Sequence, residues 1–178
     1  EQQAKTAVYV ADRRGVIGIL AIADPLRPEA ITAIASLRGM GIRTLMLSGD
    51  AEAVAAAIGQ QAGVDEARGG VQPEGKAAAI KALHAAGRVV GMIGDGINDA
   101  PALAVADVGI AMGTGTDIAM ETAGITLMRP DPRLVAAAID ISRATFGKIR
   151  QNLFWAFIYN LVGIPAAALG YLSPALAR

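Results

Sequence analysis

Met92-Ile93-Gly94-Asp95-Gly96-Ile97-Asn98-Asp99-Ala100-Pro101 is the stretch whose reading decides the fold. The apolar run Val89 to Ile93 reads as a buried strand that stops at glycine, after which Asp95 and Asp99 flank the amide of Asn98. Asp95, Asn98 and Asp99 are hard oxygen ligands, the kind that Mg²⁺ takes one or two at a time beside substrate phosphate. Gly94 and Gly96 let the backbone turn sharply at the strand's end and come close to a ligand. In open α/β sheets such strand-end loops are where ligands bind. The stretch therefore reads as a Mg²⁺–phosphate site. The plainer alternative is a loop in which Asp99, two residues before Pro101, caps the next helix.

The same grammar recurs upstream. Arg43–Leu47 reads as a buried strand ending in Ser48-Gly49-Asp50, and a helix follows from Ala51 to Gln61. A hydroxyl and a glycine at a helix N-terminus make a phosphate cradle, because free backbone N–H groups and the helix dipole point there. Capping by Ser48 or Asp50 explains the same residues equally well. Val71-Gln72-Pro73-Glu74-Gly75-Lys76 opens a helix from Glu74 to Ala86. Lys76 in the first turn opposes the macrodipole, which points to an anion nearby; a solvated surface lysine is the alternative. His84, on the same helix, reads as a surface residue without a role.

Working outward, Val8–Ala11 and Val16–Ala21 flank Asp12-Arg13-Arg14-Gly15 as a hairpin. Asp24-Pro25-Leu26-Arg27-Pro28 breaks that pattern and starts a helix to about Gly39, with Ile31, Ile34, Ala35 and Leu37 inward. After the central loop come a short helix to Ala104 and a strand Val108–Ala111. The turn Gly113-Thr114-Gly115-Thr116-Asp117 leads into a helix to Thr122, and a strand Ile125–Met128 follows. That turn is explained by turn chemistry and an N-cap. Pro130-Asp131-Pro132 ends the sheet and a helix runs from Arg133 towards Arg150. Strands alternating with helices imply a parallel, Rossmann-like α/β sheet with helices on both faces.

The 178 residues leave room for one compact domain and an appendage. They are 53% hydrophobic and only 18% charged, with mean hydropathy +0.44, which is oily enough that part of the chain should meet lipid. Zero net charge gives no argument for nucleic acid. The absence of cysteine excludes disulfides and thiolate metal sites within the chain. The N-terminal Glu1-Gln2-Gln3-Ala4-Lys5 shows no signal peptide.

From Gln151 to Ala177 there is no charged residue. Roughly 20 apolar residues span the hydrocarbon core of a bilayer, so a transmembrane helix is expected, against the alternative of a buried helix in a larger core. Trp155 and Tyr171 suit the interfaces, and Arg143, Lys148 and Arg150 on the N-terminal flank place the α/β domain in the cytoplasm. Asn152 and Asn160 are costly in lipid and should face a bundle or a pathway.

Gly94-Asp95-Gly96-Ile97-Asn98-Asp99-Ala100-Pro101 closely resembles the hinge-proximal loop of P-type ATPases, members of the haloacid dehalogenase-like superfamily. The resemblance implies that Asp95 binds Mg²⁺, with Asn98 and Asp99 supporting the metal and the phosphate. It implies that Ser48-Gly49-Asp50 matches the family's Thr-Gly-Asp phosphate loop, Ser48 keeping the hydroxyl, and that Lys76 matches the phosphate-stabilising lysine of Pro-x-x-Lys. Asp24-Pro25-Leu26-Arg27 resembles the hinge that re-enters the phosphorylation domain from the nucleotide-binding domain. Arg150-Gln151-Asn152 through Tyr159-Asn160, followed by Pro165, resembles a transmembrane helix of heavy-metal (P1B) ATPases, with Tyr-Asn typical of the Cu⁺ subgroup. Zinc and cadmium exporters usually carry a lysine there, and this chain has none after Lys148. Cu⁺ wants soft ligands, yet the six methionines all precede Gln151, so Tyr159 and Asn160 would shape an ion site without completing it.

The implied layout is residues 1–23 as a hairpin ending the nucleotide-binding connection, 24–148 as an incomplete phosphorylation domain, and 149–178 as the membrane segment. The family's nucleophile lies in Asp-Lys-Thr-Gly-Thr, and no such string occurs here. The expectation is therefore a fragment of a membrane-bound, ATP- and Mg²⁺-using pump for Cu⁺ or another heavy-metal cation, inactive alone. Actuator and nucleotide-binding domains and the other membrane helices would lie in the remainder. A stand-alone phosphatase of the superfamily and a non-catalytic membrane-anchored module are the other two readings.

Overall fold

The computed structural model describes residues 6–22, 25–113 and 117–170. Asp24 of the hinge string, residues 114–116 of the glycine–threonine turn, Tyr171 and the rest of the apolar tail to Ala177 lie outside the described residues. The chain forms two compact units, residues 1–136 and 137–178, and the division falls inside one helix rather than at the change of composition after Lys148.

The first unit begins with the expected hairpin, β1 (Thr6–Asp12) antiparallel to β2 (Gly15–Ile22), with Arg14 N–H donating to Asp12 Oδ1 in the turn at 2.7 Å. Gly15 turns the chain at φ 132°, open to glycine and strained for other residues. Pro28 starts α1 (Pro28–Gly39), as its fixed φ and missing N–H predict. The inward face of α1 is one step off the expectation: Ala33 and Leu37 are buried, whereas Ile31 and Ala35 are exposed.

Then come β3 (Leu45–Leu47), α2 (Glu52–Ala62), β4 (Glu66–Arg68) and α3 (Pro73–Ala85). They are followed by β5 (Gly91–Gly94), a 3-10 turn (Ile97–Asp99), α4 (Ala100–Val105), β6 (Val108–Met112), α5 (Asp117–Thr122) and β7 (Ile125–Leu127). The strands of this α/β region are parallel, but they form two sheets and not one: β3 with β4, and β5-β6-β7 in that order. Among the described residues, β3 and β5 each have a single partner and so each presents an unpaired edge. The core is small and aliphatic: Val54, Ala55 and Ala62 of α2, Ile80 of α3, Ala102 and Leu103 of α4, Ile110 and Ala111 of β6, and Leu127. Gly59 lets α2 lie on β4, since a Cβ there would stand 2.5 Å from Ala67 Cβ.

Val89–Ile93 does not behave as the buried strand its composition suggests. The strand starts at Gly91, Val89 is 87% exposed and Ile93 42%. The apolar pattern is that of an interior strand, and its free edge is what leaves it bare.

His84 has a partner after all. Its Nε2 lies 2.9 Å from Asp107 Oδ2, which also accepts the Val90 N–H at 2.8 Å, tying the C-terminal end of α3 to the approach of β5. A second tie closes the other half. Asp65 accepts the N–H and hydroxyl of Thr44 at 2.8 and 3.0 Å, while Arg38 donates to Asp65 Oδ1 and to the Gly63 carbonyl. The Thr44 N–H, then its hydroxyl and Arg38, hold the Asp65 carboxyl below its ordinary range. Its contribution to stability is thus complete above the unfolded-state value near 3.9 and is lost as pH falls through the lower folded value. Asp65→Asn is expected to lower the urea midpoint of this unit at pH 7, with the difference from wild type shrinking towards pH 3.

The last helix, α6, runs without interruption from Arg133 to Ala168, 36 residues, with Pro165 inside it. Among the described residues no helix is long and apolar enough to cross a membrane, which departs from the expectation for 149–178. The physical reason lies within the helix: Gln151, Asn152, Asn160 and Pro165 interrupt its apolar half, and Gly170 at φ 76° follows its end.

Candidate functional site

The functional residues predicted from sequence sit in two strand-end loops and at the start of one helix. Ser48 follows β3 directly. Its Oγ donates to Asp50 Oδ2 at 2.8 Å and accepts the Asp50 N–H at 3.2 Å, so hydroxyl and carboxylate brace each other across Gly49. Neither caps α2, whose N-cap position is Ala51 and carries no side-chain bond. Capping, one of the two readings for these residues, is therefore not how they are used here.

The second loop separates its two carboxylates. Asp95 and Asn98 are exposed, and neither has a side-chain hydrogen bond or ion pair among the described residues. Asp99 is 8% exposed, the one buried charged residue among those described. Although it occupies the N-cap position of α4, it makes no side-chain cap bond. Its Oδ1 instead accepts a hydrogen bond from Lys76 Nζ at 2.7 Å. The anion that Lys76 needs at the start of α3 is thus supplied from within the chain, 23 positions away.

Gly94 makes that burial possible. A Cβ at Gly94 would stand 2.6 Å from Asp99 Cβ and 2.8 Å from its Oδ2, so only a glycine seats the carboxylate against the end of β5. Gly96, by contrast, has φ −119°, ordinary extended backbone, and a Cβ there would meet nothing closer than 3.9 Å. Of the two glycines flanking Asp95, packing requires the first alone.

The Lys76–Asp99 pair joins the halves of the region, since α3 follows the β3–β4 sheet and the 3-10 turn follows β5 of the other sheet. For Mg²⁺, an exposed Asp95 without a side-chain partner among the described residues fits an ion that binds through one or two carboxylates and substrate. Asp99 has one oxygen committed to Lys76. No cluster of three or more acidic, histidine or cysteine side chains able to hold a metal occurs among the described residues.

Tyr159 and Asn160 lie on α6 in the second unit, both exposed. Sequence reasoning missed Glu52, which accepts the Gly69 N–H, and the Gly70 and Val71 N–H groups, which donate to the carbonyls of Asp50 and Ser48; the Gly69-Gly70 pair was the available signal.

The chain is similar to known P-type ATPases along nearly its whole length. The chain is 51% identical to a copper-exporting P-type ATPase of Staphylococcus aureus over 98% of its own length and 22% of the relative's. It is 51% identical to a silver exporting P-type ATPase of Salmonella typhimurium over 95% of its length and 20% of that protein's. Among solved structures it resembles a zinc-transporting PIB-type ATPase in the E2.Pi state, with a TM-score of 0.85 and 39% identity, over 99% of this chain and 29% of that one. The chain thus spans between a fifth and a quarter of the length of these curated relatives. Residues 1–107, more than half of the chain, match the haloacid dehalogenase-like hydrolase family. On that match, and on its parallel strands alternating with helices, the chain belongs to the haloacid dehalogenase-like hydrolases.

Proposed function

We propose that this chain is the C-terminal part of the phosphorylation domain, with an adjoining membrane helix, of an ATP-driven heavy-metal pump that exports Cu⁺. The observation that carries the reading is the pair of open edges. Strands β3 and β5 end in the two phosphate-type loops and lack a partner on one side, while Lys76 of α3 reaches Asp99 in the turn after β5. A strand from the remainder of the protein, bearing the aspartate that ATP phosphorylates, would fill that place and cover the bare β5. Unpaired edges of this kind otherwise invite aggregation.

In this reading the Ser48 hydroxyl and the Gly49 and Asp50 backbone contact the phosphoryl oxygens, with Asn98 on the opposite side. Lys76, held by Asp99, offsets the negative charge that develops on those oxygens. Asp95 holds Mg²⁺, which when bound neutralises charge on the phosphate. Such a division of labour suits phosphoryl transfer, where positioning and electrostatics do most of the catalysis.

The membrane part rests on α6. Leu153, Phe154, Trp155, Phe157, Leu161 and Ile164 are between 56% and 69% exposed, a contiguous apolar surface that in a soluble protein marks an interaction site. Lipid and the pump's other helices would cover it, with the α/β unit on the cytoplasmic side. Tyr159 and Asn160 would line the ion path, and the soft ligands that Cu⁺ requires would come from the remainder. The choice of copper is supported by the Tyr-Asn pair, by the absence of lysine after Lys148, and by the copper- and silver-exporting relatives. The test is ATP hydrolysis by the full-length protein in lipid. Cu⁺ or Ag⁺ should stimulate it and Zn²⁺ should not; stimulation by Zn²⁺ alone would overturn the copper assignment, and none by any metal would overturn the pump.

A further inference from the structure

Behind the Ser48 loop runs a strap that the phosphate chemistry itself does not require. After β4, three successive backbone N–H groups turn towards the loop and the start of α2. Gly69 N–H donates to Glu52 Oε2 at 2.7 Å, Gly70 N–H to the Asp50 carbonyl at 2.6 Å, and Val71 N–H to the Ser48 carbonyl at 2.9 Å. The approach is so close that a Cβ on Gly69 would stand 2.5 Å from Glu52 Cα and 2.7 Å from the Asp50 oxygen. Gly70, at φ 62°, turns the strap, which then leads through Gln72 into α3 and Lys76.

We propose that Glu52 and Gly69 form a latch that fixes the Ser48 loop relative to the start of the Lys76 helix, so that the two phosphate-contacting groups are set at a constant spacing. Both are positioning residues: neither touches phosphate, and each acts through the loops it joins. The inference rests on the pump reading above for its functional consequence, though not for the latch itself. Glu52 is exposed, so its carboxylate is not needed for burial. As an acidic residue in the first turn of α2 it also suits the dipole. A charged acceptor makes the Gly69 bond stronger than a neutral pair.

The latch predicts a split between phosphate and nucleotide affinity. In the full-length protein, Glu52→Ala should raise the concentration of orthovanadate that half-inhibits ATP hydrolysis by about tenfold, the scale of one lost hydrogen bond to a charged group. The KM for ATP should stay put, because nucleotide binds elsewhere. Glu52→Gln, which keeps an acceptor oxygen, should restore most of the vanadate sensitivity. Amide hydrogen exchange of the peptide spanning residues 66–72 reads the latch directly, with or without turnover: faster in Glu52→Ala, near wild type in Glu52→Gln. Wild-type exchange and vanadate affinity in Glu52→Ala would overturn the latch, as would equal losses in Glu52→Gln. A parallel rise in KM for ATP would reduce it to general destabilisation and overturn the positioning role. If exchange behaves as stated while the wild-type protein is insensitive to vanadate, the pump reading fails and the latch stands.

Discussion

Lys76→Ala is expected to destabilise the α/β unit by about 3 kcal/mol and to slow phosphoryl transfer by about 10²–10³-fold in the full-length protein. The stability loss follows from what remains behind. The Asp99 side chain is 11% exposed, it is seated directly against Gly94, and Lys76 is its partner. Removing one member of a largely buried pair strands a charge that water reaches only in part, which costs more than the pair contributed. The low end of the range for such changes applies because Lys76 itself keeps 20% exposure. The rate loss follows from removing a fixed positive charge where negative charge develops. Urea unfolding and single-turnover phosphorylation separate the two effects. A double-mutant cycle with Asp99→Asn isolates the coupling, expected at about 2 kcal/mol for residues in direct contact.

Asp95→Asn should show the opposite balance. Asp95 is exposed and has no partner among the described residues, so its loss should shift stability by less than about 0.5 kcal/mol. Phosphorylation, on the other hand, should fall at least about a hundredfold, because a metal that neutralises phosphate charge supplies several kcal/mol to the transition state. The Mg²⁺ concentration needed for half-maximal rate should rise as well, and titration of Mg²⁺ in the variant checks it. Two carboxylates of one loop thus divide into one that carries chemistry without stability and one that carries both. A comparable destabilisation by the two variants would contradict that division.

What the sequence made legible was what local chemistry punctuates. Pro28 and Gly39 bound α1 as expected, and Asp12-Arg13-Arg14-Gly15 turns the hairpin. Other features depended on partners distant in the chain. Glu66-Ala67-Arg68 has no apolar run, and it becomes β4 only because β3 offers it a parallel edge. The single sheet implied by alternating strands and helices separates into two because no described strand joins β3 to β5. Alternation reveals strand type but not adjacency. The same gap explains why Val89–Ile93 reads as buried and is exposed. In the site, residue types and spacing located both loops and Lys76, and the lysine's unfavourable place near a helix start announced an anion. That the anion is Asp99, a residue read as metal-supporting, depends on how α3 lies against the 3-10 turn, which periodicity does not encode. The boundary at Lys148 followed charge, whereas the backbone bonds of α6 continue through it because a helix needs no hydrophobicity to propagate.

On the proposed reading, this chain completes a site whose nucleophile lies elsewhere in the protein. Mapping the acid-stable phosphate that γ-labelled ATP leaves on the full-length protein tests it most directly. A hydroxylamine-sensitive acyl phosphate is expected on an aspartate outside these 178 residues, lost when Asp95 is replaced by asparagine. Label on an aspartate within them, or no acyl phosphate with any metal ion present, would contradict it.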